Sequence, residues 1–339
     1  MVKAGWQRKS GKAKAHRMKR FGSLYEQICS YENVEAAFSK ARRGKSHYVI
    51  VQRIAGSKEQ YLPRVVKILS EKTFQNSAYH HFILKERDKE REISSLPFLP
   101  DRIVHHAIMQ VIEPIFKKVY IHNTYASIKG RGIHACVKRL KSALTDKDNT
   151  RYCLKLDIKK FYKNIDHDIL KTLLARKIKD NDVLDLFSRI IDGSEGLPIG
   201  NYSSQHLANY YLAYFDHFVK EKLHIHYYFR YCDDMVLLHA SKDYLRGCLK
   251  EITIYLESQL ALEVKGNHQI FPVDARGIDF LGYVFYHDHV LVRKSIKLRM
   301  IRTIRRNRMN VAESMNSYRG WLKHANAYNL AKKYQLNKI

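Results

Sequence analysis

The sequence predicts an α+β fold, and three observations carry that prediction. Between 150 and 290, short runs of strand-forming residues alternate with stretches of helical periodicity. Inside that region Tyr227-Tyr228-Phe229-Arg230 and Met235-Val236-Leu237-Leu238 flank Tyr231-Cys232-Asp233-Asp234, which reads as a β-hairpin holding two acids at a tight turn. A hydrophobic content of 45% over 339 residues, with only 15 Gly and 6 Pro, suits a packed core divided into two or three subdomains.

The elements follow in chain order. Residues 1–20 carry eight Lys/Arg and no acid, a flexible basic arm suited to phosphate contacts, or simply a solubilising tail. Helical spacing over Leu24–Arg43 places Leu24, Ile28, Val34, Ala37 and Phe38 on one face, with Gly44 as the stop. From Ser77 to Leu96 the chain turns strand-like as an antiparallel hairpin with a charged tip. Residues 101–119 form a helix that Asp101 is placed to cap, with Ile103, Ala107, Val111 and Ile115 inward. A loop over Tyr125–Gly132 and a basic helix come next. Residues 293–308 hold eight Lys/Arg around a narrow apolar stripe of Ile296, Met300, Ile301 and Ile304, a helix with one face in the core and a cationic face outward.

The charge balance is the outlier. Sixty-one Lys+Arg against 33 Asp+Glu give +28, which points to a polyanionic partner, nucleic acid above all. No segment approaches the apolar length of a spanning helix, and the basic N-terminus lacks the apolar core of a secretory signal, so no membrane partner is expected. Cys29, Cys136, Cys153, Cys232 and Cys248 are odd in number and form no CxxC pair; Cys153 and Cys232 read as lying inside apolar strands. That predicts reduced, buried thiols in a cytoplasmic protein, without disulfides or zinc.

Chemistry concentrates on acids. Arg151–Tyr162 reads as a strand ending on Asp157, with Phe161 and Tyr162 following. Asp157 alone fits a strand cap, and Asp233-Asp234 alone fits a solvated turn. Together they give three carboxylates on two strands, enough to hold two Mg²⁺ ions, with Mn²⁺ as a substitute, for phosphoryl chemistry. Between the acid sites, Gly196-Leu197-Pro198-Ile199-Gly200 precedes a Ser/Gln cluster, Ser203-Ser204-Gln205, that opens a helix.

In order, Leu156-Asp157…Phe161-Tyr162, Gly196–Gly200, Tyr231–Asp234 and Gly277-Ile278-Asp279-Phe280-Leu281-Gly282 resemble motifs A, B, C and E of reverse transcriptases. The resemblance runs from Asp101–Ala107 to Tyr318–Ala325 and covers about 80–320. It implies a right-hand polymerase fold: an arm over 1–22, fingers and the start of the palm over 23–150, a palm with an antiparallel sheet over 151–290 (163–205 partly fingers), and a helical thumb over 291–339. It implies an RNA-directed DNA polymerase acting on template RNA, a cDNA or primer strand and dNTPs, with Asp157, Asp233, Asp234 and the Ile158 carbonyl as metal ligands. Tyr162 matches the ring that excludes a 2′-OH. Lys129 and Arg131 lie where cations meet the triphosphate, either of them making that contact or gripping template phosphate instead. Ile199, Gly200 and Gln205 line the nucleotide site, and Phe280, Leu281 and Gly282 match the primer grip. Lys294, Lys297, Arg302, Arg305 and Arg306 would track the duplex. Lys265, in Leu260-Ala261-Leu262-Glu263-Val264-Lys265, resembles the lysine that protonates pyrophosphate, although it stands one residue early and a solvent-facing lysine fits as well.

Within the family, Ile199-Gly200 followed by Ser204-Gln205 is similar to the diversity-generating retroelement class, as is Met18–Tyr25 with Ala41–Lys45. Many bacterial relatives carry Gln at the position of Ile199 and Pro at that of Gln205. The class implies copying of a template-repeat RNA with errors at adenines, for mutagenic retrohoming, and an accessory variability determinant (Avd) protein oligomer as partner. Alternatives are a retron, phage-defence, CRISPR-associated or group II intron-like reverse transcriptase of ordinary fidelity, or an inactive RNA-binding scaffold of the same fold.

Overall fold

The computed structural model describes residues 19–86, 89–306 and 311–334. Helical spacing over 24–43 resolves into two helices, α1 (Tyr25–Cys29) and α2 (Tyr31–Ala41), because Ser30 adopts an extended conformation and its Oγ caps α2 by accepting from the Asn33 amide. All five predicted apolar positions are buried. Helices α3 (Val49–Gly56) and α4 (Lys58–Ser70) follow, then the predicted hairpin β1 (His80–Glu86) and β2 (Lys89–Ser95).

Helix α5 (Ile103–Lys117) has Ile103, Ala107 and Ile115 inward as predicted. Asp101 does not cap it. Its carboxylate instead accepts from the backbone N–H and hydroxyl of Ser77, at 2.8 and 2.7 Å, and so fixes the chain entering β1. The short strand β3 (Thr124–Tyr125) and α6 (Ile133–Ala143) lead to β4 (Tyr152–Leu156). Then come α7 (His167–Ala175), α8 (Asn181–Ile191), α9 (Tyr202–Tyr211) and α10 (Ala213–His217). Strands β5 (Tyr227–Tyr231) and β6 (Asp234–His239), helix α11 (Lys242–Leu260) and β7 (Gln269–Pro272) finish the central sheet.

That sheet has the order β3-β5-β6-β4-β7, antiparallel throughout except for the β3–β5 edge pair. Both of its faces are covered. Leu154, Leu156, Tyr228, Met235 and Leu237 face a large core shared with the helices, whereas Cys153, Phe229, Val236 and Leu238 face a second core shared with α6. Double burial explains why 235–238 is a continuous apolar run instead of an alternating one.

After α12 (Val273–Arg276) comes a small antiparallel sheet of β8 (Ile278–Phe280), β9 (Tyr283–Phe285) and β10 (Val290–Val292). Helices α13 (Lys294–Arg306), α14 (Val311–Leu322) and α15 (Tyr328–Lys333) end the described chain. Met300 is buried with Leu322 and Ala327, and Ile301 and Ile304 pack against them, as the stripe predicted.

Most of the basic arm, 1–18, lies outside the described residues. The residues that follow it are tied to the chain around Lys177–Asp180. The amide of Phe21 donates to the Lys177 carbonyl at 2.7 Å, the amide of Lys179 donates back to Phe21 at 2.8 Å, and Asp180 accepts from the amides of Leu24 and Tyr25. Of the thiols, Cys136, Cys153 and Cys248 are buried, but Cys29 and Cys232 are only partly so, and all five are free.

Candidate active site

The acids meet at one end of the central sheet. Tyr231 pairs with Asp234, so the β5–β6 hairpin closes through a two-residue turn, Cys232-Asp233. Cys232 therefore lies in the turn, not inside a strand, and Asp234 is the first residue of β6. Cys232 has φ +55°, the left-handed conformation such a turn demands and that a side chain resists. The β4–β6 register pairs Leu156 with Met235, and one step further along it Asp157 stands opposite Asp234. Two segments 76 residues apart thus deliver three carboxylates to one place.

Their electrostatics are those of crowded anions. Burial, then the charge of Asp157 and a hydrogen bond with it, push Asp233 up to about 7. Burial pushes Asp234 up to about 6, against the pull of Lys155, whose Nζ lies 3.7 Å from Asp234 Oδ2. Asp234 Oδ1 is buried and has no hydrogen-bond partner. Among the described residues no group of three or more His, Cys, Asp or Glu side chains is arranged so as to hold a metal ion by itself. Mg²⁺ does not require one, since it is commonly held by one or two carboxylates together with substrate phosphates. An all-oxygen donor set with a buried, unpartnered carboxylate oxygen fits that ion.

Past Asp157 the chain forms a bridge, Ile158 against Val264, with Lys265 N–H donating to Asp157 O and Lys159 N–H to Glu263 O. These bonds leave the Ile158 carbonyl out of the ladder. They also bring Lys265 to the site, its Nζ 3.4 Å from Asp157 Oδ2, despite its early position in the sequence. A polar cavity of about 360 Å³ opens beside the acids, lined by Lys155, Asp157, Asp234, Lys265, Arg276 and Arg293 among others.

The segment after Asp157 and the loop over Gly196–Gly200 are joined by backbone. Leu197 N–H donates to Tyr162 O at 2.8 Å, and Gly196 has φ +57° with the carbonyls of Lys163 and Tyr162 2.3 and 2.4 Å from where a Cβ would sit. The Ile199 carbonyl accepts from the Ser94 amide at 2.8 Å, which ties the loop to β2; Gly200, φ +135°, lies against the Ser94 carbonyl. With its carbonyl so held, the Ile199 side chain stays 40% exposed. Tyr162 is half-buried, and burial drives its phenol far above the ordinary range. Gln205 Oε1 accepts from Ser127 Oγ at 3.1 Å, and Ser127 belongs to the loop that carries Lys129 and Arg131.

The two cations of that loop differ. Arg131 is held to the Ile121 carbonyl at 2.7 Å, whereas Lys129 is exposed. The residues matched to the primer grip form another tight turn, Leu281 (φ +53°) and Gly282 between β8 and β9, with Phe280 fully buried beneath. Lys294, Lys297, Arg302 and Arg305 are exposed on α13; the side chain of Arg306 lies outside the described residues.

Sequence reasoning missed Lys155 and the pair Asp279–Arg293, closed at 2.5 Å on the same cavity. Lys155 also donates to the Asp279 carbonyl. Strand periodicity contained the signal: two residues before Asp157, Lys155 has to share its face.

A family model for reverse transcriptase (RNA-dependent DNA polymerase) matches residues 83–285, well over half of the chain. Protein YkfC of Escherichia coli strain K12 is 25% identical over 271 residues, covering 66% of this chain and 69% of its own. The group II intron-encoded protein LtrA of Lactococcus lactis subsp. cremoris is 23% identical over 202 residues, 56% of this chain but 33% of LtrA. A solved telomerase from Candida albicans, in complex with a fragment of telomeric RNA, superposes with a TM-score of 0.50 at 10% identity, over 69% of this chain and 51% of that one; this is a likeness of fold alone. The chain therefore spans a third of LtrA and about half of the telomerase. The match across 83–285, over a sheet that gathers Asp157, Asp233 and Asp234, means that the chain belongs to the reverse transcriptase family.

Proposed function

We propose that this protein is an RNA-directed DNA polymerase that copies a template-repeat RNA into cDNA with errors concentrated at adenines, as a cytoplasmic enzyme of a diversity-generating retroelement. The observation that carries the polymerase reading is the convergence of Asp157, Asp233 and Asp234 with one buried, unpartnered carboxylate oxygen. Asp157, Asp233, Asp234 and the Ile158 carbonyl are the residues that would hold two Mg²⁺ ions, which when bound lower the pKa of a primer 3′-hydroxyl and stabilise charge at the α-phosphate.

The remaining roles belong to side chains of the chain itself. The half-buried Tyr162 ring stands beneath the sugar and rejects a 2′-OH. Lys129, the exposed cation of its loop, meets the triphosphate better than the tethered Arg131. The Lys265 ammonium beside Asp157 is placed to give its proton to the departing pyrophosphate oxygen. Phe280, Leu281 and Gly282 seat the primer end, and the exposed cations of α13 follow the duplex without reading its sequence. In this reading fingers, palm and thumb occupy 23–150, 151–290 and 291–339.

The mutagenic reading rests on Ile199. Its exposed aliphatic side chain has no hydrogen bond to offer an incoming nucleotide, and loss of one orienting contact weakens discrimination between right and wrong pairs. A second reading, an intron-type enzyme of ordinary fidelity, is favoured by the similarity to LtrA. Primer extension on an RNA template, with the products sequenced, separates them. Extension abolished by Asp233→Ala and by Asp234→Ala supports a polymerase, and absence of any extension supports a scaffold. Errors clustered at adenines and reduced by Ile199→Gln support the mutagenic class; an even error spectrum unchanged by Ile199→Gln sinks it. Co-purification with an Avd oligomer would strengthen that class.

A further inference from the structure

We propose that Arg230 is a positioning residue for this reaction: clamped by Asp216 and Asn209, its guanidinium holds the Cys232 carbonyl and so fixes the turn that carries Asp233 and Asp234. This rests on the polymerase reading. Arg230 and Asp216 are both fully buried beneath the hairpin. All five N–H donors of the guanidinium have acceptors. Nε and Nη2 donate to the two oxygens of Asp216 at 2.7 and 2.6 Å, a bidentate pair. Nη2 also donates to the Asn209 carbonyl at 3.3 Å and Nη1 to Asn209 Oδ1 at 2.9 Å. The fifth donor is the one that reaches the turn, Nη1 to Cys232 O at 3.0 Å.

Asp216 is equally complete. Besides Arg230 it accepts from Tyr228 OH and from Thr124 Oγ1, both at 2.7 Å. Asn209 in turn donates to the Ala126 carbonyl at 2.8 Å, in the loop that carries Ser127 and Lys129. Four elements are thereby locked into one frame: β3, β5, α9 and α10. The side-chain bond that this frame makes to the catalytic turn falls on Cys232, the residue held at φ +55°. A strained conformation persists only where its surroundings over-determine it, and the guanidinium supplies that constraint. Lysine, a point charge with three donors on a flexible stem, cannot reproduce a five-way fork. Replacing a buried ion pair by apolar residues is often neutral for stability, so stability alone does not account for this pair.

The test uses the full chain. Arg230→Lys should lower kcat by about 10²-fold through misplacement of the acids, while KM for dNTP and Kd for primer–template stay within about threefold. Mn²⁺ affinity, read from the free-ion electron paramagnetic resonance signal without substrate, should fall by about tenfold or more. Tyr228→Phe and Thr124→Val remove bonds to Asp216 without touching Cys232, and should lower the melting temperature while leaving kcat and Mn²⁺ affinity unchanged. If Arg230→Lys does not fold, the combined variant Arg230→Met, Asp216→Leu, Tyr228→Phe, Thr124→Val, which removes the charge pair together with the two hydroxyls bonded to it, decides: folded but slow, with weak Mn²⁺ binding, is expected. Wild-type kcat and Mn²⁺ affinity in either variant overturn the proposal. So does a loss in Tyr228→Phe as large as that in Arg230→Lys. Should the wild-type chain extend no primer, the polymerase reading fails, and the Mn²⁺ comparison still decides the clamp.

Discussion

Asp233→Asn should stabilise the protein while abolishing its activity, provided divalent ions are removed. Burial and the Asp157 carboxylate push Asp233 up to about 7 from an ordinary 3.8. A change of that size, at 1.36 kcal/mol for each factor of ten in proton affinity, sets a ceiling of about 4 kcal/mol on the cost of keeping it ionised. The side chain is partly exposed and hydrogen-bonded to Asp157. Solvent screening and that coupling bring the figure to about 1–2 kcal/mol. The native carboxyl binds its proton more tightly than the unfolded one does. Its contribution is therefore fully present below about pH 4 and lost as pH rises through about 7. Asparagine mimics the protonated carboxyl and escapes that loss. In EDTA at pH 8 the variant should melt about 1–3 °C higher by calorimetry, as the unfolding entropy of a chain this long implies. The advantage should shrink to nothing near pH 4. Millimolar Mg²⁺ at pH 8 should raise the melting temperature of the wild type more than that of the variant. A variant that melts below the wild type in EDTA at pH 8 would refute the reasoning, because the carboxylate would then be stabilised by the fold itself.

Gly196→Ala should cost about 2 kcal/mol or more and most of the activity, since it places a methyl on the Tyr162 and Lys163 carbonyls in a left-handed conformation; chemical denaturation and primer extension measure both. Tyr162→Ala should narrow the preference for dNTP over rNTP by about 10–100-fold in kcat/KM; an unchanged ratio removes the ring from the gate. Lys297→Ala on the exposed face of α13 should weaken binding to all duplexes alike and reduce the slope of log affinity against log salt by about 1.

The sequence made the hairpin, the two acid segments and the apolar stripe of Met300, Ile301 and Ile304 legible because each depends on local periodicity or on a turn. Period-2 and period-3.6 patterns survive folding when one face is buried, as Met300 and Ile304 illustrate. The misreadings share a different cause. Asp101 had the right position for a cap, but Ser77, 24 residues earlier, offered its carboxylate two donors. The helical pattern over 24–43 was correct in its apolar residues and blind to Ser30, whose side chain begins a second helix. The roles of Lys155, Arg230 and Asp216 depend on tertiary partners, and no spacing rule reports that an arginine within a strand has all five donors occupied.

The manner of assembly explains why the site reads so unevenly. The main joints between its parts are bonds of the backbone: Leu197 to Tyr162, Ser94 to Ile199, Lys265 to Asp157, Lys159 to Glu263. Backbone bonds leave no residue-specific trace beyond the glycines that let chains approach, here Gly196 and Gly200. Such joints fix where a side chain points without prescribing what it is. Ile199 is the clearest case, because its carbonyl anchors the loop while its side chain remains exposed. A position built that way tolerates exchange between an amide and an aliphatic group with little cost to the fold, and the three aspartates stay in place whichever side chain stands there.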